Sequence, residues 1–303
     1  MAGDHNHSGL GTRPLRAALA EVCPLLLDGA TGTELERRGV RSELPLWSSW
    51  ALLEAPDTLR AIHADYVRAG AAALTAATFR THARSLAAAG LEHRAAALSA
   101  LAVRLAREAA SEAPRPAFVL GSAAPLEDCY HPERVPVDAA LAREHAAHAR
   151  HLAAAGVDAI LVETMNTRRE AVAAARAARE AGADALVSFV CGDGARLLSG
   201  EPLDEALEAL RAFEPLAVGV NCLPPRAVAA CLGPLRASGF AFLVYANATS
   251  AAGAGSATPA AYADAALGWV RAGAACVGGC CGTTPLHVAA LARRLREADL
   301  VGE

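Results

Sequence analysis

Aromatic side chains make up only 4% of the 303 residues, and methionine occurs twice. A core without many large rings must be built from Val, Leu and Ile interleaved with small residues, so the few aromatics stand out as candidates for ligand contact. Apolar residues make up 53% of the chain, enough for one large core or at most two ordinary domains. No apolar run reaches the ~18 residues of a membrane span, and the opening MAGDHNHSGLGTRP lacks the apolar centre of a secretory signal. The cytoplasm is the expected compartment, with no membrane partner. The net charge is −4, and there is no basic run or basic patch interleaved with aromatics, which excludes nucleic acid as an expected partner. Eight cysteines are too few for a disulfide scaffold in a chain of this length, so clustered ones point to metal or catalytic use. Residues 1–20 are expected to form a disordered arm, and His5 and His7 are given no role.

What is present is an alternation. Short runs rich in Leu and Val fall at 24–29, 72–78, 117–122, 158–164, 185–191, 216–222, 241–247 and 275–281. Ala-rich amphipathic stretches follow them at 57–70, 82–112, 138–155, 167–181, 203–212, 224–238, 258–272 and 285–299. Gly70, Gly156, Gly182 and Gly273 stand where helices want a left-handed cap, and Thr284 precedes Pro285 as a helix start. Eight β/α units over 21–303 predict an α/β fold, a single (β/α)8 TIM barrel. A doubly wound open sheet would need a full phosphate-turn fingerprint, and DGATGTELERRG carries only G-x-x-G.

In such barrels chemistry gathers where strands end. The expected strand ends carry Asp28, Thr78, Glu163, Cys222, Asn247 and the pair Cys280–Cys281. Strands six and eight are separated by one neighbour, so three sulfurs can converge on one ion. A three-ligand thiolate zinc site leaves a fourth position open for substrate. Adjacent side chains on a strand point to opposite faces, so Gly278, Gly279 and Gly282 are read as permitting the irregular backbone that both cysteines need. The competing reading makes Cys280 and Cys281 small buried hydrophobes. Cys23, Cys129, Cys191, Cys231 and Cys276 are read as packing.

The segments DGATGTELERRG, IHADYVRAGA, ILVETM, GVNCLPP and VGGCCGTTP resemble, in that order, those of the homocysteine S-methyltransferase family, over residues ~25–295. The resemblance implies a zinc (β/α)8 barrel that methylates homocysteine to methionine. It implies Zn²⁺ as cofactor with Cys222, Cys280 and Cys281 as ligands, and it implies that Asp28 and Glu163 face the substrate ammonium. Gly29, Thr78 and Asn221 join them as substrate-binding candidates, and the turn Gly29–Gly32 offers amides to the substrate carboxylate. The chain departs from the family pattern in LTAATF, where Ala77 replaces an amide, in VYANATS, where Ala246 replaces a proline, and in GSAAP, all on the methyl-donor side.

The chemistry fits these residue types. Only a thiolate attacks a methyl group, and metal coordination deprotonates a thiol. Three cysteinates around Zn²⁺ leave the bound thiolate electron-rich, and paired carboxylates hold an ammonium. The favoured donor is S-methylmethionine, a compact cation suited to aromatic faces. Trp47, Phe79, Tyr130 and Tyr245 are the donor-side candidates. Betaine and a corrinoid protein partner are the alternative donors. A zinc hydrolase is disfavoured because three thiolates make bound water less acidic, and a non-catalytic zinc or redox sensor is the rival from another class. Loops 125–136 and 247–259 are expected to close over the mouth.

Overall fold

Strands bounded by Ala-rich helices leave the chain few ways to bury both faces of a sheet, and in this computed structural model the sheet closes on itself. The structure describes residues 15–21, 23–114, 117–248 and 256–300. The strands are β1 Leu25–Leu26, β2 Ala73–Ala76, β3 Phe118–Ala123, β4 Ala159–Met165, β5 Ala185–Phe189, β6 Ala217–Asn221, β7 Phe242–Ala246 and β8 Cys276–Gly279. All neighbours are parallel, in the order β1-β8-β7-β6-β5-β4-β3-β2. The ring closes where Leu27 bridges Ala73, with Asp28 N–H donating to Ala73 O at 3.0 Å and Ala72 N–H to Leu26 O at 2.8 Å. The expected (β/α)8 barrel is therefore the observed one.

The barrel interior is layered, because alternate residues of each strand point inward. Leu120, Leu161, Leu186, Leu243 and Cys276 form a buried apolar layer. Two residues further along the strands come Ser122, Glu163, Ser188 and Tyr245, all buried, so polarity begins at one level and rises toward the carboxyl-end mouth. The second core lies between the strands and the helices. There alanines such as Ala102, Ala106 and Ala174 let helices approach closely.

The four expected helix-capping glycines all have positive φ, from 74° at Gly182 to 106° at Gly70 and Gly273. Thr284 is the N-cap of the helix Pro285–Glu297, and its N–H donates to His287 Nδ1 at 3.2 Å. Two expectations need correction. The helix expected over 82–112 is split into Ala83–Ala87 and Ala95–Ala110, because Gly90 at φ 69° ends the first turn and Leu91 N–H bonds back to Leu86 O at 2.9 Å. Within the expected arm, Leu15–Leu19 form a helical turn whose Leu15 and Leu19 pack under the barrel beside Leu25. Residues 1–14 lie outside the described residues. No helix among the described residues is long and apolar enough to cross a membrane.

Candidate active site: three thiols and two carboxyls around one cavity

A cavity of about 320 Å³ opens at the carboxyl ends of the strands. Its thiol end is built by backbone. Cys222, immediately after β6, sits at φ 57°, a left-handed conformation that a non-glycine residue adopts only when its surroundings hold it there. Its N–H donates to Tyr245 O at 3.3 Å, and Cys280 N–H donates to Ala246 O at 2.8 Å. Ala248 N–H caps Cys281 O at 2.9 Å, and Thr283 Oγ1 donates to Cys280 O at 2.7 Å. The ligand atoms of Cys222, Cys280 and Cys281 then lie within 4.8 Å of one another, with Cys222 Sγ 3.8 Å from Cys281 Sγ. Hydrogen bonds from Cys280 and Cys281 hold the Cys222 thiol well below the usual cysteine range. An all-sulfur, three-residue donor set with an open side suits a soft or borderline divalent ion such as zinc and disfavours Mg²⁺ or Ca²⁺, which demand oxygen.

Two of the three glycines serve a different purpose from the one expected. A Cβ on Gly278 would lie 2.6 Å from Leu27 Cβ, and one on Gly279 would lie 2.4 Å from Thr283 Oγ1. These two admit the close approach of β1 and of the Thr283 hydroxyl. Among the three, positive φ belongs to Gly282 alone, at 78°.

The carboxyl end is built by side chains. Asp28 accepts from Thr75 N–H at 2.8 Å and from Thr75 Oγ1 at 3.0 Å. Glu163 accepts from the Ser122 hydroxyl and from Tyr245 Oη at 3.1 Å, and Tyr245 Oη lies 2.6 Å from Ser188 Oγ. Burial pushes the Asp28 carboxyl up to about 8, with Glu163 nearby raising it further. Burial likewise pushes Glu163 up to about 7. Neither carboxyl forms an ion pair among the described residues, so both can take a positive charge from a ligand.

Of the expected residues, Asp28, Gly29, Glu163, Trp47, Phe79, Tyr130, Tyr245 and the three cysteines all line the cavity. Thr78 and Asn221 do not. Thr78 Oγ1 donates to Ser122 O at 2.8 Å inside the wall, because the chain leaves the strand pattern at Ala76. Asn221 spends its amide on Thr164 and Ser188, accepting from Thr164 N–H at 2.9 Å and Ser188 Oγ at 2.7 Å and donating to Thr164 Oγ1 at 2.8 Å. Tyr245 belongs to the carboxyl end rather than the donor side, since its hydroxyl holds Glu163. Tyr130 hangs over the thiols, its hydroxyl 3.0 Å from Cys222 Sγ. Trp47 and Phe79 meet edge to face at 5.3 Å and form the mouth. Cys129, expected to be packing, lines the cavity because Asn166 Nδ2 donates to its carbonyl at 2.9 Å and holds the 125–136 loop over the site. Cys191, Cys231 and Cys276 are buried in the core as expected. In the other expected lid, 247–259, residues 249–255 lie outside the described residues.

Thr75, Ser122 and Arg80 also line the cavity, beyond the residues expected from the sequence. For the two hydroxyls a signal existed: each stands two positions beyond an inward apolar residue, Ala73 or Leu120, and so must point inward.

Fold and cavity together define a barrel enzyme with a thiol metal-binding group at its mouth. Residues 25–295 match the sequence model of the homocysteine S-methyltransferase family, and the chain belongs to that family. It is similar to the homocysteine S-methyltransferase of Escherichia coli (strain K12), 34% identical over 304 residues that cover 93% of this chain and 98% of the relative. It is also similar to the selenocysteine Se-methyltransferase of Brassica oleracea var. italica, 29% identical over 89% of this chain and 88% of that one. Among solved structures, the metallated form of the homocysteine methyltransferase MmuM from Escherichia coli superposes with a TM-score of 0.83 at 34% identity, covering 93% of this chain and 100% of that one.

Proposed function

We propose that the protein moves a methyl group from S-methylmethionine to the sulfur of L-homocysteine, giving two molecules of methionine, with zinc held by Cys222, Cys280 and Cys281. The observation that carries this reading is the pairing of three convergent thiols with two buried carboxyls lacking counter-charge in one small cavity. Homocysteine has a thiol at one end and an ammonium at the other, and each end finds its complement. When bound, zinc supplies Lewis acidity that turns the substrate thiol into a thiolate at neutral pH.

The rest falls to the chain. Asp28 and Glu163 accept hydrogen bonds from the ammonium, and its positive charge draws both carboxyls back to their ionised form. Thr75, Ser122 and Tyr245 keep their oxygens aimed at it. The substrate carboxylate faces the Gly29–Gly32 turn, where the Ala30 amide is already bonded to Thr283 Oγ1 at 3.1 Å and the neighbouring backbone lines the cavity. Trp47 and Phe79 present ring surfaces to the sulfonium and exclude water from it. In the transfer the methyl carbon bonds to the homocysteine sulfur as its bond to the sulfonium breaks. The donor leaves as neutral methionine, so no proton is needed for the leaving group.

The test incubates the zinc-loaded protein with homocysteine and, separately, S-methylmethionine, S-adenosylmethionine, betaine and methylcobalamin, and measures methionine formed. S-methylmethionine is expected to lead. Turnover with methylcobalamin alone would overturn the assignment and point to a corrinoid partner.

A further inference from the structure

Arg80 serves neither the thiol cluster nor the carboxyl pair. It is 7% exposed, follows Phe79 on the loop after β2, and lines the cavity. Its Nη1 donates to Glu127 O at 3.1 Å, its Nε has no partner, and it forms no ion pair among the described residues. Its guanidinium carbon stands 5.4 Å from the Phe79 ring centroid. Among the described residues none of the carboxylates in its neighbourhood pairs with it, and Glu170 Oε2 is itself without a partner. Glu127 pairs with Arg84 at 2.9 Å, Asp128 accepts from Tyr130 N–H at 2.9 Å, and Glu170 accepts from Leu126 N–H at 2.8 Å with His145 Nε2 at 3.1 Å.

A buried guanidinium without a counter-ion costs several kcal/mol, on the order of a buried unpaired charge elsewhere. Such a cost is borne where a ligand supplies the missing anion. Guanidinium is planar and presents parallel N–H groups that match a carboxylate two-to-two, and the Arg80 side chain lines the cavity. The thiol cluster and the Asp28–Glu163 pair already account for the acceptor's two reactive ends. Arg80 stands instead beside the Trp47–Phe79 mouth.

We propose that Arg80 is a carboxylate subsite of this cavity, and that the carboxylate it binds belongs to the methyl donor. The donor thus carries a carboxylate as well as a cation, with its methyl-bearing cation against the Trp47 and Phe79 rings and its carboxylate on Arg80. The assignment to the donor rests on the proposed methyl transfer, whereas the subsite itself rests on geometry alone.

Dimethylsulfonioacetate and trimethylsulfonium offer the same sulfonium methyl and differ by one carboxylate. With homocysteine and the zinc-loaded wild type, kcat/KM is expected to favour dimethylsulfonioacetate by ~10- to 100-fold, the range of a charge-assisted hydrogen bond. Arg80→Gln should bring that ratio to within ~3-fold of unity, and Arg80→Lys should restore part of it, since Lys keeps the charge but not the fork. A role confined to bracing the 125–136 loop would lower both donors together and leave the ratio standing, which overturns the proposal.

Calorimetry of the two sulfonium ions binding to the zinc-loaded protein reads the subsite without turnover. The carboxylate-bearing ion should lose affinity selectively in Arg80→Gln. If the wild type methylates homocysteine from neither compound, this binding difference alone decides Arg80: selective loss upholds the subsite, equal affinities reject it. A final arm replaces homocysteine with 3-aminopropane-1-thiol, which lacks the carboxylate. If Arg80→Gln erases discrimination between these two acceptors rather than between the donors, the carboxylate is the acceptor's and the donor assignment is overturned.

Discussion

The thiol end and the carboxyl end of the cavity are held by different means. At the thiol end each sulfur is placed by its own backbone: the left-handed turn at Cys222, and the main-chain bonds from Cys280 to Ala246 and from Ala248 to Cys281. At the carboxyl end the main chain merely delivers Asp28 and Glu163 to the barrel interior. Hydroxyls from three other strands, Thr75 on β2, Ser122 on β3 and Tyr245 on β7, then fix their oxygens. Backbone placement lets a thiol be exchanged without disturbing its neighbours. Side-chain placement couples the carboxyls to one another and to pH. Changes at the two ends should therefore separate metal content from amino-acid affinity.

The largest effect is expected from Cys222→Ser, Cys280→Ser and Cys281→Ser. Each should lose most of a zinc content of about one per chain and bring methyl transfer to background. The main-chain bonds of these residues survive the exchange, so circular dichroism and the melting temperature should change little. A fully metallated triple-serine variant would remove the thiol end from the account.

Glu163→Gln comes next. Loss of a buried charge-assisted contact is worth ~1.5–3 kcal/mol, or ~10- to 150-fold, and should appear in KM for homocysteine. Zinc content should stay at the wild-type level. If metal and KM fell together, the two ends would not be independent.

A pH effect of intermediate size follows from the raised carboxyls. A group whose folded value is raised contributes stability that is fully present below its unfolded value and lost as pH rises through the folded one. For Asp28 that window runs from 3.8 to about 8, and for Glu163 from 4.5 to about 7. The ligand-free protein should thus lose melting temperature between pH ~4 and ~8 and level off above that. Norleucine, which carries the ammonium but no thiol, should bind more tightly over the same range, by at most ~10-fold per pH unit for each proton released. Asp28→Asn should flatten both curves. A binding curve level from pH ~5 to ~8 in the wild type contradicts the uncompensated pair.

The smallest effect is expected from Tyr245→Phe, which removes one donor from Glu163. A cost of ~0.5–1.5 kcal/mol in homocysteine affinity, with zinc unchanged, is the value of an ordinary hydrogen bond. An effect as large as that of Glu163→Gln would make Tyr245 a direct substrate contact.

The same contrast explains what the sequence discloses. Backbone-placed features are local and therefore readable. The strands announce themselves as runs such as AILVETM, where every residue is buried, and Cys222 and Cys280–Cys281 stand immediately after the ends of β6 and β8. Features placed by neighbouring strands are not local. Asn221 and Thr78 look like site residues from their positions but turn to Thr164, Ser188 and Ser122 instead, because only the folded ring shows which partner lies alongside. Arg80 was hidden among arginines that mostly form surface ion pairs, and nothing in FRTHAR marks this one as buried. Gly90 sits in an Ala-rich run whose helical periodicity spans it, and so the sequence predicts one continuous helix there.

The central claim is that three thiols hold zinc and leave its fourth position to the homocysteine sulfur. X-ray absorption at the zinc edge counts sulfurs directly, on the zinc-loaded protein with and without homocysteine. The account predicts three sulfur ligands in the free protein, as the clustered cysteines provide, and a rise to about four when homocysteine binds. A sulfur count that does not change on binding, or one that changes equally with norleucine, would contradict it.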